Sequence, residues 1–290
     1  MEVIESVPVH EDIKLGRDTR DQYIENYKEN YKENIRLLAK HRVKCICYNF
    51  MPVFDCTRSQ LDHELEDGSN ALVYYKDDVD KLDPTKLSLP GWDESYSPEE
   101  MKELIDEYKA LGEEGLWENL DYFIQRVMPV AAEEDVNMAI HPDDPPWSIF
   151  GIPRIITTED HLQRFLDLYD DKHHGLTLCS GSLGCARFNN YIDMVKRFGG
   201  QGRVHFAHVR NIKIIGDGSF EEDAHYSPCG SLDIVEVLKA YKEVGFEDYI
   251  RPDHGRMIWG ETGKPGYVLY DRALGAMYMT GIWETLEKLG

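Results

Sequence analysis

A (β/α)8 barrel is the architecture this sequence predicts, on three observations. Short β-branched runs alternate with amphipathic helices along the chain, the order that builds a parallel sheet. No Gly-x-Gly-x-x-Gly and no Walker sequence follows any strand, so a doubly wound, phosphate-binding sheet loses its main support. The later strands end on or just before His141, Cys179, His208 and Asp253, chemistry-bearing types at the rim where barrel enzymes keep their sites. The 290 residues, 42% of them apolar, are read as one domain over 1–290 with a long loop insertion at about 51–96.

The elements follow in order. A strand-like start covers 3–9. A helix over about 19–40 sets Ile24, Tyr27, Tyr31, Ile35 and Leu38 on one stripe. It contains a tandem Tyr-Lys-Glu-Asn, at 27–30 and 31–34. Four residues are close to one helical turn, so the stripe survives the duplication. Residues 43–50 form the next strand, and 51–96, rich in Asp, Pro, Ser and Gly, shows no sustained period. A loop that long reads as a lid or binding loop, or else as a disordered segment. Ser97-Pro-Glu-Glu100 is a capping box with proline at the first helical position. Residues 116–134 are helical, with Pro129 bending the end.

Residues 136–140 form a strand that runs into His141. Thr158 caps a helix carrying Leu162, Phe165, Leu166 and Tyr169. Then come a strand over 176–179, a helix over 190–198 closed by Gly199-Gly200, and a strand over 204–208. Ser231 is read as the cap of a helix that stops at Gly245. A strand over 249–252 leads into Asp253-His254-Gly255, and 267–289 forms the closing helix.

The charge sum of 32 basic against 54 acidic residues, −22, repels phosphate backbones and anionic lipid headgroups, so nucleic acid and membrane are not the expected partners. No window approaches the roughly 18 consecutive apolar residues of a membrane span, and the first residues lack the basic-then-apolar order of a signal peptide. A cytoplasmic protein is expected. The six cysteines are irregularly spaced and read as reduced thiols.

One Cys, two His and one Asp converging on the rim make a ligand set for a divalent transition ion, in which thiolate and imidazole favour Zn, Fe or Co and the carboxylate admits Mn. Each residue also has an ordinary explanation: Cys179 as a small buried hydrophobe, His141 as a turn residue before proline, Asp253 as a helix cap. His205, three residues before His208, points to the opposite side of its strand. Other motifs fall short. Ser180 stands where the Gly-x-Ser-x-Gly nucleophile elbow requires glycine, and the acidic runs at 64–67 and 113–114 read as solvated faces.

Whole segments then carry a resemblance: His141-Pro-Asp-Asp-Pro-Pro-Trp, Phe150-Gly-Ile-Pro-Arg-Ile-Ile, Leu178-Cys-Ser-Gly-Ser-Leu-Gly, Phe206-Ala-His-Val-Arg-Asn and Arg251-Pro-Asp-His-Gly-Arg-Met-Ile-Trp-Gly. With Val7-Pro-Val-His-Glu-Asp-Ile-Lys, Cys47-Tyr-Asn-Phe-Met-Pro-Val-Phe-Asp and Tyr270-Asp-Arg-Ala-Leu-Gly-Ala, the chain resembles the mannonate dehydratase family over nearly its whole length. The resemblance implies a TIM barrel of the xylose-isomerase-like type. It also implies conversion of D-mannonate to 2-keto-3-deoxy-D-gluconate plus water in hexuronate catabolism, with Mn²⁺ or Fe²⁺. It implies His141, Cys179, His208 and Asp253 as metal ligands, the same four that the rim selects, and His254 and Tyr267 as proton-transfer residues. Arg210 and Asn211, beside His208, are candidates for holding substrate oxygens. A sugar acid as substrate and a homodimer as assembly complete the expectation. Measured against the family, the chain opens at the second barrel strand, so a barrel incomplete at its N-terminus is expected.

The chemistry matches these residue types. Dehydration takes the proton α to a carboxylate and expels the β-hydroxyl, which calls for a cation on the carboxylate oxygens and two groups for proton transfer. Two alternatives share the rim. A sugar isomerase or epimerase would lose no water, and its rim is normally carboxylate-rich rather than thiolate-bearing; an inactive truncated homologue is the other.

Overall fold

A computed structural model describes residues 1–26, 30–84 and 96–289. Its strands are β1 (Val3–Glu5), β2 (Cys45–Tyr48), β3 (Gln60–Glu64), β4 (Asn70–Tyr74), β5 (Asn137–Ile140), β6 (His174–Cys179), β7 (Val204–His208), β8 (Asn211–Gly216), β9 (Ser219–Asp223) and β10 (Tyr249–Arg251). Six of them form one sheet in the order β1-β2-β5-β6-β7-β10, which is also their chain order, and β1/β2, β2/β5 and β5/β6 pair in parallel. The remaining four form an antiparallel sheet ordered β3-β4-β9-β8.

The chain forms two compact units: 1–55, 83–177 and 203–206 in the first, and 56–82, 178–202 and 207–290 in the second. In the first, every residue of β2 is buried, as expected for a parallel strand covered on both faces. The helices Tyr31–Lys40 and Pro98–Glu133 supply apolar cover, with Tyr31 and Phe123 packed edge-to-face at 4.8 Å. The helix expected over 19–40 is two pieces, a π-helical turn Gln22–Asn26 and Tyr31–Lys40. The second starts afresh because the Asn30 side chain accepts a hydrogen bond from Glu33 N–H at 2.9 Å. Residues 27–29, in the first copy of the tandem repeat, lie outside the described residues.

The capping box forms as read: Glu100 N–H donates to Ser97 Oγ at 3.3 Å and Ser97 N–H donates to the Glu100 carboxylate at 2.8 Å. The long helix is kinked at Gly112, whose φ of 68° suits glycine alone, and it continues through Pro129 to Glu133.

In the second unit, the hydroxyls of Tyr191 and Tyr241 meet at 2.9 Å, and Tyr191 also donates to the Leu178 carbonyl at 3.2 Å, tying two helices to β6. Three readings change here. The segment 51–96 is not a plain loop: β3 and β4 form a hairpin around Asp67-Gly68, while 85–95 lie outside the described residues. The helix after Ser231 is capped by Asp233, whose carboxylate accepts from Val235 and Glu236 N–H, while Ser231 Oγ accepts from Ile214 N–H. The closing helix begins at Tyr270, which leaves Tyr267 in the preceding loop.

Candidate active site

Cys179 is the last residue of β6 and the cap of the short helix Ser180–Gly184. Its sulfur accepts hydrogen bonds from the Ser182 hydroxyl at 3.1 Å and the Ser182 N–H at 3.4 Å. His208, the last residue of β7, is wholly buried, and one of its ring nitrogens lies within 4.8 Å of the Cys179 sulfur. Asp253 follows β10 by two residues and sits at φ 61°, a left-handed conformation that Asp tolerates better than most residues and that a functional site has reason to hold. One carboxylate oxygen is 3.6 Å from the Cys179 sulfur, and the other is 3.6 Å from His208 Nδ1.

Cations surround the same carboxylate: Arg210 Nε lies 2.9 Å from one oxygen, and Arg251 donates to the other at 2.6 Å. Burial works against charge on Asp253. The neighbouring His254, His208, Arg210 and Arg251 outweigh it and hold the carboxyl well below the usual range. Arg210 can come this close because Gly181 leaves room: a Cβ there would overlap the Arg210 side chain. The ring of His225 bonds the Pro252 carbonyl at 2.8 Å and steadies the turn into Asp253.

A second carboxylate, Glu222 on β9, joins Arg58, Arg210 and His254. Arg58 donates to it from Nη2 at 2.7 Å and from Nε at 3.2 Å, and Arg210 also donates to it. His254 Nδ1 lies 2.8 and 2.9 Å from its two oxygens. Burial alone would raise the Glu222 pKa, but the charges of Arg210, His254 and Arg58 lower it to about 2. The other nitrogen of His254, Nε2, is 3.3 Å from the half-exposed Tyr267 hydroxyl.

The second unit therefore brings together Cys179, His208 and Asp253 of the expected ligand set, and it brings His254 against Tyr267. His141 directly follows β5 in the first unit. Its Nδ1 donates to the Pro142 carbonyl at 2.7 Å, which leaves the ring's lone pair on Nε2. His205 faces away from His208 along the strand, as alternation requires, and is itself buried. Arg210 is spent on Asp253 and Glu222. The Asn211 amide oxygen accepts from Ile212 and Leu232 N–H, and its nitrogen donates to the Tyr226 and Ser227 carbonyls, so it shapes the 211–232 loop.

Sequence reasoning missed Glu222, Arg58, Ser182 and Arg251. A signal for Glu222 exists: it alternates with Phe220 on β9, and both are buried, so one residue of an acidic run shares the inward face of an apolar strand. Sulfur, imidazole and carboxylate gathered in one buried place suit a divalent transition ion, since a soft thiolate disfavours Mg²⁺ and Ca²⁺.

Consecutive parallel strands with helices between them, and functional side chains at the strand ends, define an α/β-barrel enzyme. A xylose-isomerase-like TIM barrel protein from Mycobacterium smegmatis, solved with magnesium, shares the fold at a TM-score of 0.51 and 12% identity, over 98% of this chain and 74% of that one. The chain belongs to the mannonate dehydratase family: the model of D-mannonate dehydratase (UxuA) matches residues 1–290. It is 59% identical to mannonate dehydratase 2 of Halalkalibacterium halodurans over 290 residues, 99% of this chain and 83% of the relative. The crystal structure of mannonate dehydratase from Streptococcus suis serotype 2 superposes with a TM-score of 0.91 at 46% identity, covering 99% of this chain and 78% of that one.

Proposed function

We infer that this chain is a hydro-lyase that converts D-mannonate to 2-keto-3-deoxy-D-gluconate and water. The observation that carries the reading is family membership over the full 290 residues, together with the buried cluster of Cys179, His208 and Asp253 beside the His254–Tyr267 pair. Purified protein supplied with Mn²⁺ and D-mannonate should form a 2-keto acid with loss of one water per turnover. A protein that binds the ion and forms none would overturn the assignment.

His141, Cys179, His208 and Asp253 are proposed to hold the ion, Mn²⁺ or Fe²⁺. His141 is included because the family resemblance implies it, and its Nδ1–H bonds the Pro142 carbonyl, which makes Nε2 the acceptor nitrogen of the neutral ring. When bound, a divalent cation supplies positive charge against the substrate carboxylate, without which the α-proton is too weakly acidic to remove. The C2 proton passes to one member of the His254–Tyr267 pair, and the C3 hydroxyl takes a proton and leaves as water. The resulting enol then becomes the 2-keto acid. The 3.3 Å contact between the two side chains allows both transfers at one place. Arg210 and Arg251 keep the Asp253 carboxylate ionised and oriented.

The −22 charge fits a small-molecule substrate better than nucleic acid. No helix among the described residues is long and apolar enough to cross a membrane, and none of the six cysteines forms a disulfide. A cytoplasmic location suits those thiols. A homodimer is the proposed assembly, with the exposed Leu274 and Met277, one turn apart on the closing helix, available for contact; light scattering tests it.

A further inference from the structure

Glu222 belongs neither to the ligand set nor to the proton-transfer pair, yet its buried carboxylate meets three side chains. One oxygen, Oε1, takes the hydrogen bonds of Arg58 and Arg210 and also faces His254; the other, Oε2, lies 2.9 Å from His254 Nδ1. Arg58 is itself buried, with its guanidinium 4.9 Å from the Phe220 ring centroid, so this cation is locked by packing as well as by charge. An ionised carboxylate only accepts hydrogen bonds. The His254 nitrogen that faces it must therefore carry the hydrogen, and in the neutral imidazole the lone pair then falls on Nε2, the nitrogen next to Tyr267.

We propose that Glu222 is a positioning residue that fixes His254 in its Nδ1–H form and aims Nε2 at Tyr267 and the reacting proton, with Arg58 and Arg210 clamping the carboxylate. The inference rests on reading His254 and Tyr267 as the proton-transfer pair. It also gives the 51–96 segment a part in the site, because that segment delivers Arg58. In a Glu222→Gln variant the two arginines claim the amide oxygen, so the NH₂ faces His254 Nδ1 and favours the opposite tautomer. A fixed carboxylate beside a catalytic histidine generally acts in this way.

The test has a kinetic and a spectroscopic arm. With D-mannonate, Glu222→Gln should lower kcat by about 100-fold or more while KM changes by less than about threefold. Glu222→Asp, which keeps the charge but retracts it, should recover part of the loss. Two-bond ¹H–¹⁵N correlation spectra of the Zn²⁺-loaded wild type should show His254 as the Nδ1–H tautomer, and Glu222→Gln should lose that signature. Retention of kcat within about threefold in Glu222→Gln overturns the proposal. A wild-type Nε2–H tautomer also overturns it, and this result needs no folded variant. His254→Gln separates the two levels. If it retains activity, the proton-transfer reading fails; if it is dead while Glu222→Gln is active, only the role of Glu222 fails.

Discussion

The Cys179 sulfur lies 3.6 Å from a carboxylate oxygen of Asp253, although 74 residues separate them in the chain. Two residue types that seldom share a buried position meet because one closes β6 and the other follows β10. A thiolate gives way to a hydroxyl of similar shape in Cys179→Ser, but the soft donor is lost. Bound metal after gel filtration, measured by inductively coupled plasma mass spectrometry, should fall by at least about 10-fold, and keto-acid formation with it. Wild-type loading in that variant would remove Cys179 from the ligand set.

Removing either member of the proposed proton-transfer pair should spare metal binding. His254→Gln and Tyr267→Phe are each expected to lower kcat by about 10²–10⁴ at unchanged metal content. Equal losses of metal and activity would instead make these residues part of the scaffold.

Arg256 holds the loop after Asp253 in place. Its Nε and its backbone N–H reach the buried Asp271 at 3.1 and 2.9 Å, and Nη1 reaches Asp67 in the β3–β4 turn at 2.8 Å. Arg256→Ala strands the Asp271 carboxylate and should cost about 3 kcal/mol or more in denaturant unfolding. Adding Asp271→Asn should restore part of that loss. Additive costs would mean that the pair contributes nothing as a pair.

Acid should destabilise the fold through His174 and His205, which burial pushes from 6.5 to about 4. Between those values the unfolded chain binds protons that the folded histidines refuse. Their contribution is complete above pH 6.5, shrinks as pH falls, and is lost below about 4. Each accounts for on the order of 3 kcal/mol across that window. His174→Asn should flatten the slope of unfolding free energy between pH 6.5 and 4, whatever its effect at pH 7.5. An unchanged slope would mean that His174 does not set the acid sensitivity in this window.

The barrel was legible because β-branched runs and helix stripes alternate, and because His141, Cys179, His208 and Asp253 stand at or just past strand ends. Less was legible where polar residues build strands. Gln60–Glu64 has only half-buried and exposed residues, so the hairpin carries little apolar alternation. The Asp217-Gly218 turn between β8 and β9 is a local hairpin signal, but the strand it leads into, Ser219–Asp223, is largely polar. Ser231 and Asp233 are both good caps, and only the backbone shows which one closes the helix. Arg58 and Glu222, 164 positions apart, carry no local mark of their partnership.

X-ray absorption at the metal edge of the Mn²⁺- or Fe²⁺-loaded protein tests the ligand assignment most directly. The expected spectrum has one sulfur scatterer among nitrogen and oxygen neighbours, and that sulfur disappears in Cys179→Ser. A wild-type coordination shell of nitrogen and oxygen alone would contradict a site built on the Cys179 thiolate.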